Sequence, residues 1–347
     1  MKAIIVGGRF GDAPKESGVA IKLANALNAD LVNGGSIQNL SEISLSGFEL
    51  IIWMPKVDNG EAKIYPKKDI GAVLICSKFM GARVTRFDSV SRIFKMGGNA
   101  VIEIHPKAVH LPWLGRGDYV TFELVDALAN WWRGTADIDA LACSIRDLYD
   151  WTRGSVRVRT ERSVEMPIAD PPHDLERLVV STKRVADMVE TEYEGRFFGN
   201  ASTRCAKMFP SHRVDDCAYV SARNIDKRRI EEDDFVCVRG VVDGIVYHGD
   251  RKPSVDTPIQ LALYKRYPRI RCMIHGHVFI QDVPTTEHYF PCGDMREFED
   301  VCKVISGTGP SGILNLKDHG FLMYGDSVGR LMDMIETMKI ANKTKEW

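Results

Sequence analysis

The sequence lacks any apolar stretch approaching the ~18–20 residues that a membrane span needs, so no transmembrane segment is expected among its 347 residues. It lacks an excess of positive charge. Lys plus Arg number 46 against 47 Asp plus Glu, a net charge of −1, which argues against general nucleic-acid binding. Its eight cysteines include no Cys-x-x-Cys pair, and scattered thiols of this kind read as reduced, mostly buried side chains of a cytoplasmic protein. The start, Met1-Lys2-Ala3-Ile4-Ile5-Val6-Gly7-Gly8, lacks the small-residue cleavage site of a signal peptide and reads as a buried strand entering a turn. There is no internal repeat and no low-complexity tract. What is present is ordinary for a soluble globular protein: 44% hydrophobic and 27% charged residues. Because a single core stops growing at about 250–300 residues, two domains are expected.

The first third alternates short apolar runs with helical patterns. Ala3–Val6, Ala29–Val32, Phe48–Met54, Ala72–Cys76 and Ala100–Ile104 read as strands, and Gly18–Leu27 and Ser89–Met96 as helices. Such alternation implies βαβ units, hence a doubly wound parallel sheet of Rossmann or flavodoxin-like type over residues 1–135. Thr121–Trp132 carries Phe122, Val125, Leu128, Ala129 and Trp132 on one helical stripe and is assigned to a further helix. Residues 136–172 change texture: Arg153, Arg157, Arg159 and Arg162 alternate with Val156 and Val158, and Pro167, Pro171 and Pro172 follow. This stretch is expected to be an exposed connector rather than a nucleic-acid arm. Residues 173–347 then form a second α/β domain, with helices at Leu175–Tyr193, Pro258–Tyr267, Phe298–Ile305 and Ser327–Ala341, and strands at Cys217–Val220, Phe235–Arg239 and Ile270–His277.

The most informative stretch is Ile274-His275-Gly276-His277-Val278. It closes an apolar strand, where residues i and i+2 point to the same side, so the two imidazoles project together. Neutral imidazole is a good ligand for zinc and similar divalent metals. Asp318-His319-Gly320, in a turn after the apolar Ile313–Leu316, can supply a third imidazole, with a backbone-bonded turn histidine as the alternative. Lys252-Pro253-Ser254-Val255-Asp256-Thr257-Pro258 leads into a helix, where Asp256 serves as a helix cap, as a carboxylate aimed at the metal, or as both. Three histidines and a carboxylate with one position open describe a catalytic rather than a structural metal site.

These motifs, together with Gly199-Asn200-Ala201-Ser202-Thr203-Arg204, resemble the class II aldolase/adducin family from about His173 to Ala341. The resemblance implies an α/β/α sandwich around a mainly antiparallel sheet, a divalent metal, usually Zn2+, and a homotetramer. It assigns the metal to His275, His277 and His319, proton shuttling to Asp256, and substrate or phosphate binding to Asn200, Ser202 and Ser254. The implied chemistry is that of an aldehyde-lyase: aldol cleavage or condensation of a small hydroxy-carbonyl, sugar-phosphate-like compound through a metal-stabilised enediolate. Asp256-Thr257-Pro258 is closest to the L-ribulose-5-phosphate 4-epimerase and fuculose-phosphate aldolase group. His288 stands where the epimerase segment carries a catalytic aspartate, and no tyrosine follows Tyr324. Aldol cleavage therefore ranks above epimerisation, with His288 a candidate catalytic group and a non-catalytic, adducin-like interaction or ligand-sensing role as the third reading. Where the family has a hydroxyl and a flexible glycine, the chain has Ser221-Ala222-Arg223-Asn224. Arg223, with Asn224, either replaces them as a phosphate fork or belongs to a surface run with Lys227, Arg228 and Arg229.

The N-terminal domain resembles no part of that family. Its loop after the first strand carries Gly7, Gly8, Arg9, Gly11 and Lys15 and opens a helix, an arrangement able to receive an anion or to be a plain glycine turn. Ser77, Lys78 and Arg83 are expected after the fourth strand, at the same edge. His105 and His110 show no ligand spacing. The expected partners are a small-molecule substrate and further copies of the chain, with no membrane and no nucleic acid.

Overall fold

A computed structural model of the chain describes residues 1–8, 18–35, 37–57, 66, 72–81, 83–106, 119–127, 131–156, 159–165, 168–189, 192–193, 196–205, 217–241, 244–307 and 309–341. The chain divides into two compact units, with the boundary between Val156 and Arg157. No helix among the described residues is long and apolar enough to cross a membrane.

The first unit contains β1 (Ala3–Gly7), α1 (Val19–Leu27), β2 (Asp30–Asn33), β3 (Leu50–Trp53), β4 (Val73–Phe79), α2 (Arg86–Met96), β5 (Ala100–Pro106), β6 (Tyr119–Asp126), β7 (Trp131–Thr135) and α3 (Ile138–Val156). They build one sheet of order β2-β1-β3-β4-β5-β6-β7. The first five strands are parallel; β2 is a partly exposed edge strand, whereas β1, β3, β4 and β5 are largely buried on both faces, which is why they read as apolar runs such as Leu50-Ile51-Ile52-Trp53. α1 and α3 cover one face over a core that includes Ile5, Leu23, Ile52, Ile75, Ile102 and Ile145. α2 lies on the other, where Ser89 donates to Glu103, a strand neighbour of the core residues Ile102 and Ile104. A capping box starts α2: the Thr85 hydroxyl accepts from the Asp88 N–H, and the Asp88 carboxylate accepts from the Thr85 N–H.

Three expectations for this unit need correction. Thr121–Trp132 is not a helix but parts of β6 and β7, which extend the sheet in antiparallel sense. Alternation decided the matter, since Phe122 and Leu124 enter the α1/α3 core while Glu123 points to the α2 side and pairs with Arg86. Residues 136–172 are no free connector either: α3 packs in the first unit and the strand β8 (Arg159–Arg162) joins the sheet of the second. Finally, β4 runs two residues beyond Ser77, so Ser77 and Lys78 lie within the strand rather than after it.

After β8 the second unit continues with α4 (Leu175–Met188), β9 (Glu192–Tyr193), β10 (Arg196–Phe197), β11 (Asn200–Arg204), β12 (Cys217–Ser221), β13 (Phe235–Val241), β14 (Gly244–Tyr247), α5 (Thr257–Arg266), β15 (Cys272–Gly276), α6 (Met295–Ile305), β16 (Gly312–Leu316), β17 (Gly320–Gly325) and α7 (Val328–Thr337). Eight strands pair in the order β16-β17-β15-β11-β12-β13-β14-β8, antiparallel except for β14 with β8, while β9 and β10 form a separate small hairpin. α4 and α7 cover one face through Leu178, Val185, Leu331 and Ile335. α5 and α6 cover the other through Ile259, Leu263, Val301 and Ile305. The unit is therefore an α/β/α sandwich on a mainly antiparallel sheet.

Candidate metal centre

β15 ends on His275-Gly276, and β17 begins at Gly320 directly beside it. This pairing carries His319, forty-odd residues away in sequence, to the two histidines of β15. The ring centroids are 4.9 Å apart for His275 and His277, 4.8 Å for His275 and His319, and 5.1 Å for His277 and His319. One nitrogen from each ring lies within 4.8 Å of the others, a spacing that a single cation can bridge. The approach depends on glycine. Gly320 has φ of +152°, and a Cβ there would overlap the Gly276 carbonyl oxygen. Gly199, at φ of +76°, brings the start of β11 so close that a Cβ would sit 2.7 Å from the His275 carbonyl oxygen.

Hydrogen bonds set the tautomers. His275 Nδ1 lies 2.7 Å from the Phe321 carbonyl oxygen, so it carries the proton and donates. Nε2 is left with its lone pair, buried and without a hydrogen-bond partner among the described residues. Burial, reinforced by His319, lowers the His275 pKa to about 4, so the ring is neutral near pH 7. His319 Nδ1 lies 2.8 Å from Glu297 Oε1, the carboxylate–imidazole pairing that orients metal-binding histidines. Its Nε2 lies 3.2 Å from Cys292 Sγ. Burial alone would lower the His319 pKa, but Cys292 and Glu297 outweigh it and raise it. Burial likewise raises the Glu297 carboxyl and the Cys292 thiol. His277 is half-buried, with the Phe198 ring 4.9 Å from its own.

Asp256 is at the start of α5, yet its side chain makes no capping hydrogen bond. Oδ2 accepts from the Asn200 amide at 2.8 Å, and Asn200 Oδ1 in turn accepts from Gln260. Oδ1 is buried without a hydrogen-bond partner among the described residues, and a carboxylate oxygen lies within 4.8 Å of a His319 ring nitrogen and of Cys292 Sγ. The side chain thus does not cap the helix. The unpartnered His275 Nε2, two further imidazoles and this carboxylate fit a divalent cation.

The remaining expected residues divide. Asn200 stands opposite His275 in the β11–β15 register and touches Asp256. Ser202 does not belong to the centre: it is fully buried within β11, 2.9 Å from the Tyr264 hydroxyl. The Arg223 and Ser254 turns are brought together, with the Arg223 N–H on the Lys252 carbonyl, the Ser254 N–H on the Ser221 carbonyl, and Arg223 Nε on the Pro253 carbonyl. Asn224 adopts φ of +58° and accepts from the Phe197 N–H at 3.0 Å. His288 lies in a separate cluster, its Nδ1 3.0 Å from Asp300 and Glu287 nearby. In the first unit, Gly7 and Gly8 close β1, at the reversal of strand order between β1 and β3; Arg9, Gly11 and Lys15 lie outside the described residues.

Sequence reasoning missed Lys227, Cys292, Glu297 and Gln260. Lys227 is no surface residue: it is 4% exposed, donates to the Ile225 carbonyl at 2.9 Å, and lines one pocket with Asn200, His275 and His277. Burial lowers its pKa to about 8, against the pull of Asp226 and Asp256. For Glu297 a signal existed, since with Asp300, Val301 and Ile305 it shares the buried stripe of α6, where an acidic residue needs a partner.

Residues 182–344 match the family described as the Class II Aldolase and Adducin N-terminal domain. Over 99 residues the chain is 34% identical to a methylthioribulose-1-phosphate dehydratase of Stenotrophomonas maltophilia (strain R551-3), covering 28% of this chain and 45% of the relative. Over 76 residues it is 37% identical to a protein of the same name from Xylella fastidiosa (strain M12), covering 21% and 33%. The chain thus spans less than half the length of these curated relatives. Among solved structures, an L-fuculose 1-phosphate aldolase aligns with a TM-score of 0.36 and 18% identity over 48% of this chain and 82% of that one.

Proposed function

We propose, from a C-terminal half that carries a class II aldolase/adducin domain, that this protein is a metal-dependent lyase of a small hydroxy-carbonyl compound of the sugar-phosphate kind. The observation that carries the reading is the convergence of His275, His277 and His319 on one point, with the unpartnered Nε2 of His275 and the unpartnered Oδ1 of Asp256 in the same pocket region. The three imidazoles would hold Zn2+ or another first-row divalent ion, which when bound supplies Lewis acidity toward neighbouring carbonyl and hydroxyl oxygens.

The chain's own groups supply the rest. Asp256 is held by Asn200 through one oxygen, so its other oxygen is fixed in direction and free to take or return a proton. Glu297 keeps the His319 ring oriented, and the Phe321 carbonyl does the same for His275. Lys227 adds positive charge at the pocket wall, where negative charge develops on the substrate. The turns at Arg223 and Ser254 would receive the phosphate. Epimerisation finds no support at His288, whose ring is committed to Asp300. The curated relatives favour a second lyase reading: loss of water from a phosphorylated ketose, in which a proton is taken from the carbon beside the carbonyl and the hydroxyl on the next carbon leaves as water.

The test has two parts. The purified protein should retain one divalent ion at this centre, and His275→Ala should lose it. Asp256→Asn should keep the ion but turn over about 10²–10⁴-fold more slowly. Incubation with phosphorylated ketoses followed by mass analysis separates the lyase readings: two carbonyl fragments mean aldol cleavage, and a product lighter by one water means dehydration. A metal-free protein with all three histidines intact defeats the proposal. The homotetramer implied by the family is checked by light scattering.

A further inference from the structure

A second cluster of metal-ligating side chains takes no part in the chemistry above. Cys205 directly follows β11, Cys217 opens β12, and Cys237 lies in β13, three neighbouring strands. Register gathers them on one face. The Cys205 N–H reaches the Cys217 carbonyl, and Tyr219, two residues beyond Cys217, stands opposite Cys237. All three are buried in the core beneath α4 and α7. Their sulfurs lie within 4.8 Å of one another, and Cys217 Sγ is 3.8 Å from Cys237 Sγ. A tetrahedral zinc with Zn–S bonds of about 2.3 Å has S···S edges of about 3.8 Å.

Close thiols also occur in plain apolar cores, and three features separate this cluster from one. First, His248 faces Cys237 across β13 and β14: its backbone N–H donates to the Cys237 carbonyl at 3.0 Å, and its Nδ1 is buried with no hydrogen-bond partner among the described residues. Secondly, Cys237, Tyr219 and His248 line one cleft of about 440 Å³, an entry path for a cation, with Glu232 and Asp233 in its wall beside Arg251 and the Arg162-paired Asp250. Thirdly, Arg239 stands opposite Cys217 in the β12–β13 register and supplies positive charge beside the sulfurs.

We propose that Cys205, Cys217 and Cys237 hold a structural Zn2+, with His248 turning in from the cleft as the fourth ligand. Three thiols release their protons through the cleft and the imidazole binds neutral. The complex then carries one net negative charge, 2 − 3 = −1, which Arg239 offsets. Such a closed Cys3His site ties β11, β12, β13 and the end of β14 together, and it is independent of the histidine centre.

The full-length protein, reconstituted with zinc under reducing conditions, decides the matter. It should hold two zinc ions per chain, falling to one in His277→Ala and to one in Cys237→Ser. Co2+ in place of zinc should give an intense near-ultraviolet thiolate charge-transfer band that survives Cys292→Ser and His277→Ala. Zinc should shield three of the eight thiols from a thiol reagent until a chelator is added. His248→Ala should weaken zinc retention against a chelator by more than the about 10-fold cost of losing an outer-shell partner. If Cys237→Ser does not fold, the cobalt band and thiol protection, read with the Cys292→Ser control, still decide. One zinc with the band intact supports this site and counts against the histidine centre. No thiolate band, a band lost in Cys292→Ser, or a disulfide within the trio overturns the proposal.

Discussion

The Phe321 carbonyl oxygen determines which nitrogen of His275 is available, and single groups of this kind govern the centre. Gly320→Ala illustrates the point: the added methyl would collide with the Gly276 carbonyl at a positive φ, and a loss of about 3 kcal/mol or more is expected in urea denaturation, together with loss of bound metal. Asp300 gives a pH test. Burial pushes its carboxyl pKa up, but Lys303 and the His288 backbone N–H hold it below the ordinary value on balance. A depressed carboxylate stabilises the fold above its unfolded pKa of about 3.9 and loses that contribution as pH falls through the folded value. Asp300→Asn should therefore cost about 1–3 kcal/mol at pH 7, and denaturation curves of the two proteins should converge as pH falls below about 4. At this scale the histidines were legible, because His-x-His on a strand leaves little freedom. Ser202 and Lys227 were not, since Ser202 meets Tyr264 of α5 and Lys227 sits between α4 and β15, all distant in sequence.

At the scale of elements, β6 shows how a helical stripe misleads. Phe122, Val125 and Leu128 share a helix face on paper, but Phe122 and Leu124 point to one side of a strand. Leu124→Asp should unfold the first unit, whereas Thr121→Asp, at an exposed position, should change stability by no more than about 0.5 kcal/mol by circular dichroism melting. A helical β6 would reverse neither position in this way, because Thr121 and Leu124 would then share one face. The parallel strands β1, β3, β4 and β5 were legible because burial on both sides leaves them uniformly apolar. β11 and β14 were not: Asn200–Arg204 is rich in polar residues whose partners lie in α5 and β15, and Gly244–Tyr247 is only four residues long.

At the scale of the whole molecule, each unit has its own core, and the histidine centre lies wholly in the second. Calorimetry should resolve two transitions, and a chelator should lower only the one belonging to the second unit, because ligands stabilise only the part that binds them. The two-unit division was legible from length and composition, but its boundary was not, because alternating arginines and one proline pair suggested a linker over a stretch that holds α3 and β8. β8 has a practical consequence. It pairs with β14 at the rim of the second sheet, yet comes from outside the stretch that the family covers. A fragment trimmed to begin at residue 173 would leave the β14 backbone as a bare, adhesive rim that recruits strands from other molecules. A fragment that keeps residues 157–172 carries its own edge guard, and should stay monodisperse where the shorter one clumps.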